Sequence, residues 1–288
     1  MSGADSERNQ ELAGRVAIVT GANLADAGPN IGAAIVAELA ESGAAVVAAG
    51  RTLEGAERAA AAVRADGGHA IAVHVDVRDE SSVRAMVAAA TEEFGGVDIL
   101  CNNAGGSQRQ LDRDILTMDV GFWDDMFALN CRAAMLGCKH AIPSMIERGG
   151  GAVVNTSSGS SLAGDLNLAA YGSSKAALNA FTKYVATQFG RRGVRCNTVI
   201  PGYIRSVRAW HINADSTHEM FRRHTVLDRF GEPSDIADMV VYLASPRSSF
   251  VTGQCVTVDG GLNIHRPFFA DMMDAPELTE VDQARRPD

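Results

Sequence analysis

The chain has 288 residues, 46 % apolar and 21 % charged, with 29 glycines and 8 prolines. That composition suits a soluble globular body and argues against collagen, coiled coil or a disordered chain. Its 35 acidic residues exceed the 26 Lys and Arg, giving a net charge of −9, which makes nucleic acid and membrane surfaces poor partners. The five cysteines (Cys101, Cys131, Cys138, Cys196 and Cys255) follow no disulfide or CxxC spacing, and read as reduced residues of a cytoplasmic protein. The histidines are scattered, so no metal is expected. The opening MSGADSERNQELAG lacks the apolar core of a signal peptide, and no apolar run reaches membrane-spanning length.

In chain order, residues 15–20 (RVAIVT) read as a strand ending at Gly21, 31–40 as a helix of small and apolar residues, and 44–49 as a second strand. An alanine-rich helix follows (EGAERAAAAVRADG), then strand 70–77, helix 82–94 and strand 97–105. FWDDMFALNCRAAMLGC reads as one helix, 151–158 as a strand, 171–189 as a long helix and 194–202 as a strand. A helix over 231–245 is opened by Pro233 with Ser234 as its candidate cap, and 254–261 is the last strand. Apolar strands alternating with helices predict an α/β fold: a Rossmann-like, doubly wound three-layer sandwich around a mainly parallel seven-stranded sheet. We expect one domain over 14–261, a flexible 1–13, and an extension over 262–288 carrying the apolar patch PFFADMM. Residues 203–230 show no clear register.

Gly21, with Gly28 and Gly32 near the next helix start, suggests a dinucleotide-phosphate turn, because glycines let backbone approach a pyrophosphate at a helix N-terminus. Asp76 and Asn102-Asn103-Ala104-Gly105 fall at C-terminal strand ends, where open α/β sheets bind ligands. Tyr171 and Lys175 are four apart in a helical pattern and share a face; an ammonium there favours the phenolate of a group that otherwise titrates near ~10. Ser158 lies at a strand end ahead of them. Adjacent Ser157 must face the other way, since side chains alternate along a strand.

These motifs in this order, completed by Asn130, Pro201-Gly202 and Asp259-Gly260-Gly261, resemble the short-chain dehydrogenase/reductase family over residues 14–261. The resemblance implies an NAD(P)-dependent oxidoreductase moving hydride between nicotinamide and a secondary alcohol or ketone. It implies Tyr171 as acid/base, Ser158 orienting the substrate oxygen, Lys175 tuning the phenol and gripping the ribose, and Asn130 holding a water in a proton relay. Cofactor contacts are implied at Gly21, Asn23, Asn30, Ile31, Gly50, Arg51, Asp76, Val77, Asn103, Ala104, Gly105, Tyr171, Lys175, Pro201, Gly202, Ile204 and Ser206. Asp76 would accept from the adenine amine, and the backbone after Pro201 would meet the carboxamide.

One departure stands out. The family's turn reads TGxxxGxG, whereas Gly21 and Gly32 are eleven positions apart here, with Asn30 where the middle glycine normally stands. Asn tolerates unusual φ, so the turn can still form; alternatively Gly28 makes the close approach, or the longer loop bulges outward. An NAD-preferring site wants a carboxylate at the end of the second strand. Gly50 stands there with Arg51 next, which favours NADP with NAD still possible. Residues 203–230 would be the substrate lid. Arg205, Arg208, Arg222, Arg223, His211, His218 and His224 there suit a carboxylate- or phosphate-bearing substrate, unless they simply face solvent. Alternatives on the same fold are an enoyl reductase, a lyase or epimerase, or a nucleotide-binding protein without catalysis. The resemblance implies that the helices around 107–138 and 171–189 pair across a two-fold, often with a second two-fold. Wide apolar bands on both are a partial physical motive, so a homotetramer is expected, with a dimer second.

Overall fold

The computed structural model describes residues 10–25, 28–207, 210 and 213–275. Chain order is β1 (Val16–Thr20), β2 (Leu24–Ala25), β3 (Gly28–Pro29), α1 (Ile31–Glu41), β4 (Ala45–Gly50), α2 (Leu53–Ala65), β5 (Ala70–His74), α3 (Glu80–Phe94) and β6 (Ile99–Asn102). There follow α4 (Val120–Phe127), a π-helical turn (Ala128–Arg132), α5 (Ala133–Glu147), β7 (Gly151–Thr156), α6 (Ala169–Phe189) and β8 (Val194–Pro201). The remainder is α7 (Asp215–His224), α8 (Pro233–Ala244), β9 (Cys255–Val258) and α9 (Phe269–Asp274).

Seven strands form one sheet in the order β5-β4-β1-β6-β7-β8-β9, with every neighbouring pair parallel. This is the expected doubly wound sandwich. Strand alternation sends Ala17, Val19, Val46 and Val199 to one face against Ile35, Leu39, Ile236 and Leu243 of α1 and α8. Ile18, Val47, Leu100 and Val153 go to the other, against Met86, Leu136, Met145 and Val185 of α3, α5 and α6. Both faces are covered, so the strands are apolar throughout. Strand order reverses between β1 and β6, which opens a crevice at their C-terminal ends.

The structure corrects several boundaries. β5 stops at His74 and β6 at Asn102, so Asp76 and Asn103–Gly105 lie in the loops beyond, free of the ladder. α3 starts at Glu80, capped by Asp79, whose carboxylate accepts from the Ser81 N–H at 3.0 Å. The single helix expected over 122–138 is broken by the π turn at Ala128–Arg132 and continues to Glu147. Ser234 does not cap α8. Glu232 holds the cap position, and the Asp235 carboxylate accepts its N–H at 2.7 Å. Within the segment expected to be flexible, residues 10–13 form a turn whose Leu12 joins the core at 1 % exposure; residues 1–9 lie outside the described residues. All five cysteines are free. Among the described residues, no helix is long and apolar enough to cross a membrane.

Candidate active site

A cleft of about 370 Å³ opens at the crevice, and Gly21, Asn23, Asn30, Gly50, Arg51, Asp76, Val77, Ala104 and Gly105 all line it. At its floor, the Thr20 hydroxyl accepts from the N–H groups of Asn103 (3.1 Å) and Ala104 (3.0 Å) and donates to the Cys101 carbonyl (3.3 Å). The Asn103 side chain donates to the Thr20 carbonyl at 3.1 Å. Strand β1 and the loop after β6 are thereby locked together. Gly21 turns the chain at φ +72°, and a methyl there would meet Ala104 Cα at 2.9 Å.

The lengthened loop has a structure of its own. Leu24–Ala25 pairs antiparallel with Gly28–Pro29, and the Arg58 guanidinium ties this hairpin to α2 by donating to the Leu24 carbonyl at 2.7 Å. Asn30 needs no unusual φ. It sits at −91° as the N-cap of α1, its side-chain oxygen accepting from the Ala33 N–H at 2.8 Å. An asparagine replaces the middle glycine because the hairpin brings the chain to the helix in extended geometry, where a capping amide is favoured. Gly28 lies on the returning strand at φ +128°, facing Val207, away from the turn itself.

At the other end, β4 closes on Gly50 and leaves no carboxylate. Arg51 lines the cleft beside Asp76 and Arg78. Arg78 donates to the Asp76 carboxylate at 3.2 and 3.0 Å, and this bonding holds that carboxyl below the usual carboxylate range. Arg78 was not anticipated. Its cue is a cation two residues past a strand-end acid, a common surface pattern.

Asn130 and Lys175 stand behind Gly105. A Cβ on that glycine would lie 2.8 Å from Asn130 Oδ1 and 2.9 Å from Lys175 Nζ, so only glycine lets the loop pass between them. Lys175 is buried and donates to the Thr156 carbonyl at 2.7 Å. Its ammonium lies 5.9 Å from the centroid of the Tyr171 ring. Burial pulls the Lys175 pKa down from 10.5 to about 8. Asn130 sits in the π turn. Its Oδ1 accepts from the Gly106 N–H (3.0 Å), and its Nδ2 donates to the carbonyls of Met126 (3.1 Å) and Gly106 (3.2 Å). Every one of these partners is backbone, so the side chain pins the cofactor-side loop to the helix break. Ser157 is buried and directed at α6, donating to the Lys175 carbonyl at 3.3 Å. β7 stops at Thr156, short of the expected 158, and Ser158 caps the turn that follows, its hydroxyl accepting from the Ser160 N–H at 3.3 Å.

Pro201 ends β8, and Gly202 packs too closely on Asp259 to carry a side chain, with 2.6 Å to its Cα. The side chains of Ile31 and Ile204 belong to the core, which leaves backbone as the only part of Ile204 that can face a ligand. The segment 203–230 is aromatic at its centre. Tyr203 stacks on Phe221 at 4.2 Å and Trp210 on His218 at 4.0 Å, while Phe230 meets Tyr203 and Trp210 edge-on. The Tyr203 hydroxyl bonds His218 Nδ1 at 2.8 Å.

The described arginines of residues 203–230 are about half exposed and pair with surface carboxylates. Arg205 pairs with Glu232 (3.2 Å), Arg222 with Glu219 (3.0 Å), and Arg223 with Asp274. His218 is inside the ring cluster, and His224 stacks on His265. Arg208 and His211 lie outside the described residues. The PFFADMM segment folds back on its own chain, with α9 against α7 and His265 bonded to the His224 carbonyl at 2.7 Å.

Comparison with known proteins agrees with this architecture. A family model described as enoyl-(acyl carrier protein) reductase matches residues 27–263. The chain is 41 % identical over 280 residues to a protein of Bradyrhizobium diazoefficiens named "Probable short-chain type dehydrogenase/reductase", covering 95 % of this chain and 98 % of that one. It is 37 % identical over 252 residues to the cis-4-hydroxycyclohexanecarboxylate dehydrogenase of Sinomonas cyclohexanicum, covering 88 % and 98 %. A solved 7α-hydroxysteroid dehydrogenase complexed with NADH and 7-oxo glycochenodeoxycholic acid superposes with a TM-score of 0.82 at 30 % identity, covering 89 % and 96 %. The chain belongs to the short-chain dehydrogenase/reductase family. It is an oxidoreductase of the alcohol dehydrogenase or ketoreductase kind.

Burial of Lys175 has a measurable consequence. Between pH 8 and 10.4 an unfolded chain binds more protons at this lysine than the folded one, so wild-type stability gains as pH rises through that window. Below about 8 the buried ammonium is a burden of about 3 kcal/mol, from a drop of about 2.5 pKa units at 1.36 each. Lys175→Met removes it but leaves the Thr156 carbonyl short of a donor, costing about 1–2 kcal/mol. We expect the Met variant to be more stable than wild type by about 1–2 kcal/mol at pH 7, with the gap closing toward pH 10. Urea unfolding at both pH values checks this; an equal gap at both would refute the burial argument.

Proposed function

We propose that this enzyme interconverts an alicyclic secondary alcohol and its ketone with NADP as the preferred cofactor. The observation that carries the reading is the packing of Lys175 Nζ and Asn130 Oδ1 against Gly105 of the cleft, with the Tyr171 ring centroid 5.9 Å from that ammonium. The close-packed glycine turn fits a dinucleotide: Gly21 and Gly32 bring backbone to the start of α1, where helix N–H groups favour phosphate. When bound, the nicotinamide supplies or accepts the hydride. Tyr171 gives or takes the proton on the substrate oxygen, and Ser158 orients that oxygen. The Lys175 ammonium favours the phenolate and reaches the nicotinamide ribose. Asn130 holds the loop at Gly106 in register and would keep a water in the proton path. Catalysis then rests on orientation and on charge stabilisation at oxygen.

One thing supports a ring-bearing substrate: the relatives named above act on a hydroxycyclohexane and a steroid. For the cofactor, Arg51 and Arg78 flank the strand end that lacks a carboxylate, which suits a 2′-phosphate. Arg51→Ala is expected to cut kcat/KM for NADP by about tenfold, since charge-assisted bonds are worth about 1.5–3 kcal/mol, with little change for NAD. A wild type preferring NAD would end this argument. Gly50→Asp is a poorer probe, because a Cβ there meets the Ala22 carbonyl oxygen at 3.1 Å.

The test is oxidation of a panel holding cyclohexanol, cis-4-hydroxycyclohexanecarboxylate and a 7α-hydroxysteroid with either cofactor. The wording of the matched family model favours one rival, an enoyl reductase. Reduction of a 2-enoyl thioester without turnover of any alcohol would establish it, and cofactor binding without turnover would mean a non-catalytic protein. The protein is read as cytoplasmic and tetrameric. Met135 and Tyr184 are 37 % and 66 % exposed beside an apolar groove between α5 and α6, and Phe250 is bare. Light scattering should give about four times the 30.3 kDa chain mass; a monomer would refute it.

A further inference from the structure

Helix α6, which carries Tyr171 and Lys175, starts without a local cap. The first N–H groups of a helix need acceptors, yet its cap position is Leu168, whose side chain has none. Leu168 also adopts φ +66°, the only non-glycine residue at positive φ among the described residues, a conformation that disfavours a Cβ.

The missing acceptors come from a distant loop. Asp112, 0 % exposed, accepts from the Ala170 N–H at 3.0 Å through one carboxylate oxygen and from the Tyr171 N–H at 2.9 Å through the other. Its own carbonyl accepts from the Leu168 N–H at 3.0 Å. A carboxylate without solvent is tolerable there because both oxygens meet donors at the positive end of a helix.

A Ser or Asp at the cap position would satisfy the same groups without a buried charge or a left-handed leucine. The long-range arrangement adds a connection. The Asp112 N–H donates to the Gln108 carbonyl at 3.0 Å, closing a turn from Gln108, and Gly105 to Gln108 line the cofactor cleft. On its other side, Ala170 packs against Phe122 and Met126.

We propose that Asp112 is a positioning residue for the reaction: it ties the backbone of Tyr171 to the loop lining the cofactor cleft, so that the phenol and the nicotinamide site keep one register. The proposal rests on Tyr171 being the acid/base group. A displacement of about 1 Å at such a group can cost on the order of 10²-fold in rate, so the register matters beyond its effect on folding.

The test uses the full chain as wild type, Asp112→Ala, Asp112→Asn and Tyr171→Phe, assayed with NADP and cis-4-hydroxycyclohexanecarboxylate at a temperature where each is folded. Asp112→Ala should lower kcat at least about tenfold while the Kd for NADP moves less than about threefold. Asp112→Asn keeps one accepting oxygen and should fall between. Amide hydrogen exchange without cofactor gives a readout independent of turnover. The Ala170 and Tyr171 N–H groups should exchange at least about tenfold faster in Asp112→Ala, with the middle of α6 unchanged. If the Ala variant does not fold, Asp112→Asn carries the same comparisons. Unchanged exchange overturns the proposal, as does unchanged kcat beside an inactive Tyr171→Phe. An active Tyr171→Phe would instead overturn the assignment of Tyr171, and this proposal with it.

Discussion

Replacing Tyr171 by Phe is expected to lower kcat by about 10²–10⁴-fold, the usual contribution of a positioned acid/base group, while NADP still binds. On the proposed reading the hydroxyl removed is the group that acts on the reacting oxygen. The ring remains, as does its neighbour Lys175, held by the Thr156 carbonyl. The cleft wall at Gly21, Gly105 and Arg51 is untouched. The loss should therefore appear in kcat and kcat/KM together, with the Kd of the cofactor steady, as for an interaction made in the transition state. Lys175→Ala differs in kind, because on the proposed reading its ammonium serves both the phenol and the nicotinamide ribose, and should damage turnover and cofactor affinity alike. Measuring NADPH fluorescence on binding beside steady-state rates separates the two. If Tyr171→Phe keeps more than about a tenth of wild-type kcat, the proton is handled by another group.

The sheet was legible because both of its faces are covered. Runs such as VAIVT and AVVAAG need no alternation to announce a strand when helices lie above and below. Strand ends were less so: Asp76 and Asn103 look continuous with their strands, yet the edge that binds ligands must leave the ladder to present backbone. Hairpin β2–β3 is too short for any periodicity, and Arg58, which fixes it, stands on a different helix. A π turn shifts the helical period by one residue, and nothing in FWDDMFALNCRAAMLGC marks it apart from a polar Asn130 among apolar neighbours. The partners of the arginines in 203–230 were hidden for a related reason: Arg223 pairs with Asp274, 51 residues further on. Tyr171 and Lys175 share α6, and the Lys175 ammonium lies 5.9 Å from the Tyr171 ring, in keeping with their spacing of four. Asp112 has no local signal at all, since its significance lies in a bond to residues 58 and 59 positions away.

The second large effect is expected at Gly32. A methyl there would lie 2.3 Å from the Gly21 carbonyl oxygen and 2.7 Å from Asn103 Nδ2. Neither neighbour can rotate away. Gly21 is backbone in a left-handed turn already packed on Ala104, and the Asn103 amide is fixed by its bond to the Thr20 carbonyl at 3.1 Å. Gly32→Ala must therefore push the whole turn off the start of α1 or unwind that start. Overpacking of this kind typically costs about 1–3 kcal/mol in stability. On the proposal that this turn presents N–H groups to the phosphates of NADP, affinity should fall by about ten- to a hundredfold, each tenfold being 1.4 kcal/mol. Gly67→Ala supplies the control. Gly67 sits at φ +84° with open space around its Cβ direction, so the substitution strains the backbone by about 1–2 kcal/mol far from the cleft. Both variants should melt earlier than wild type, and only Gly32→Ala should lose the cofactor. Equal NADP affinity in the two, by calorimetry at a temperature where both are folded, would mean that the turn between β1 and α1 does not hold the phosphates.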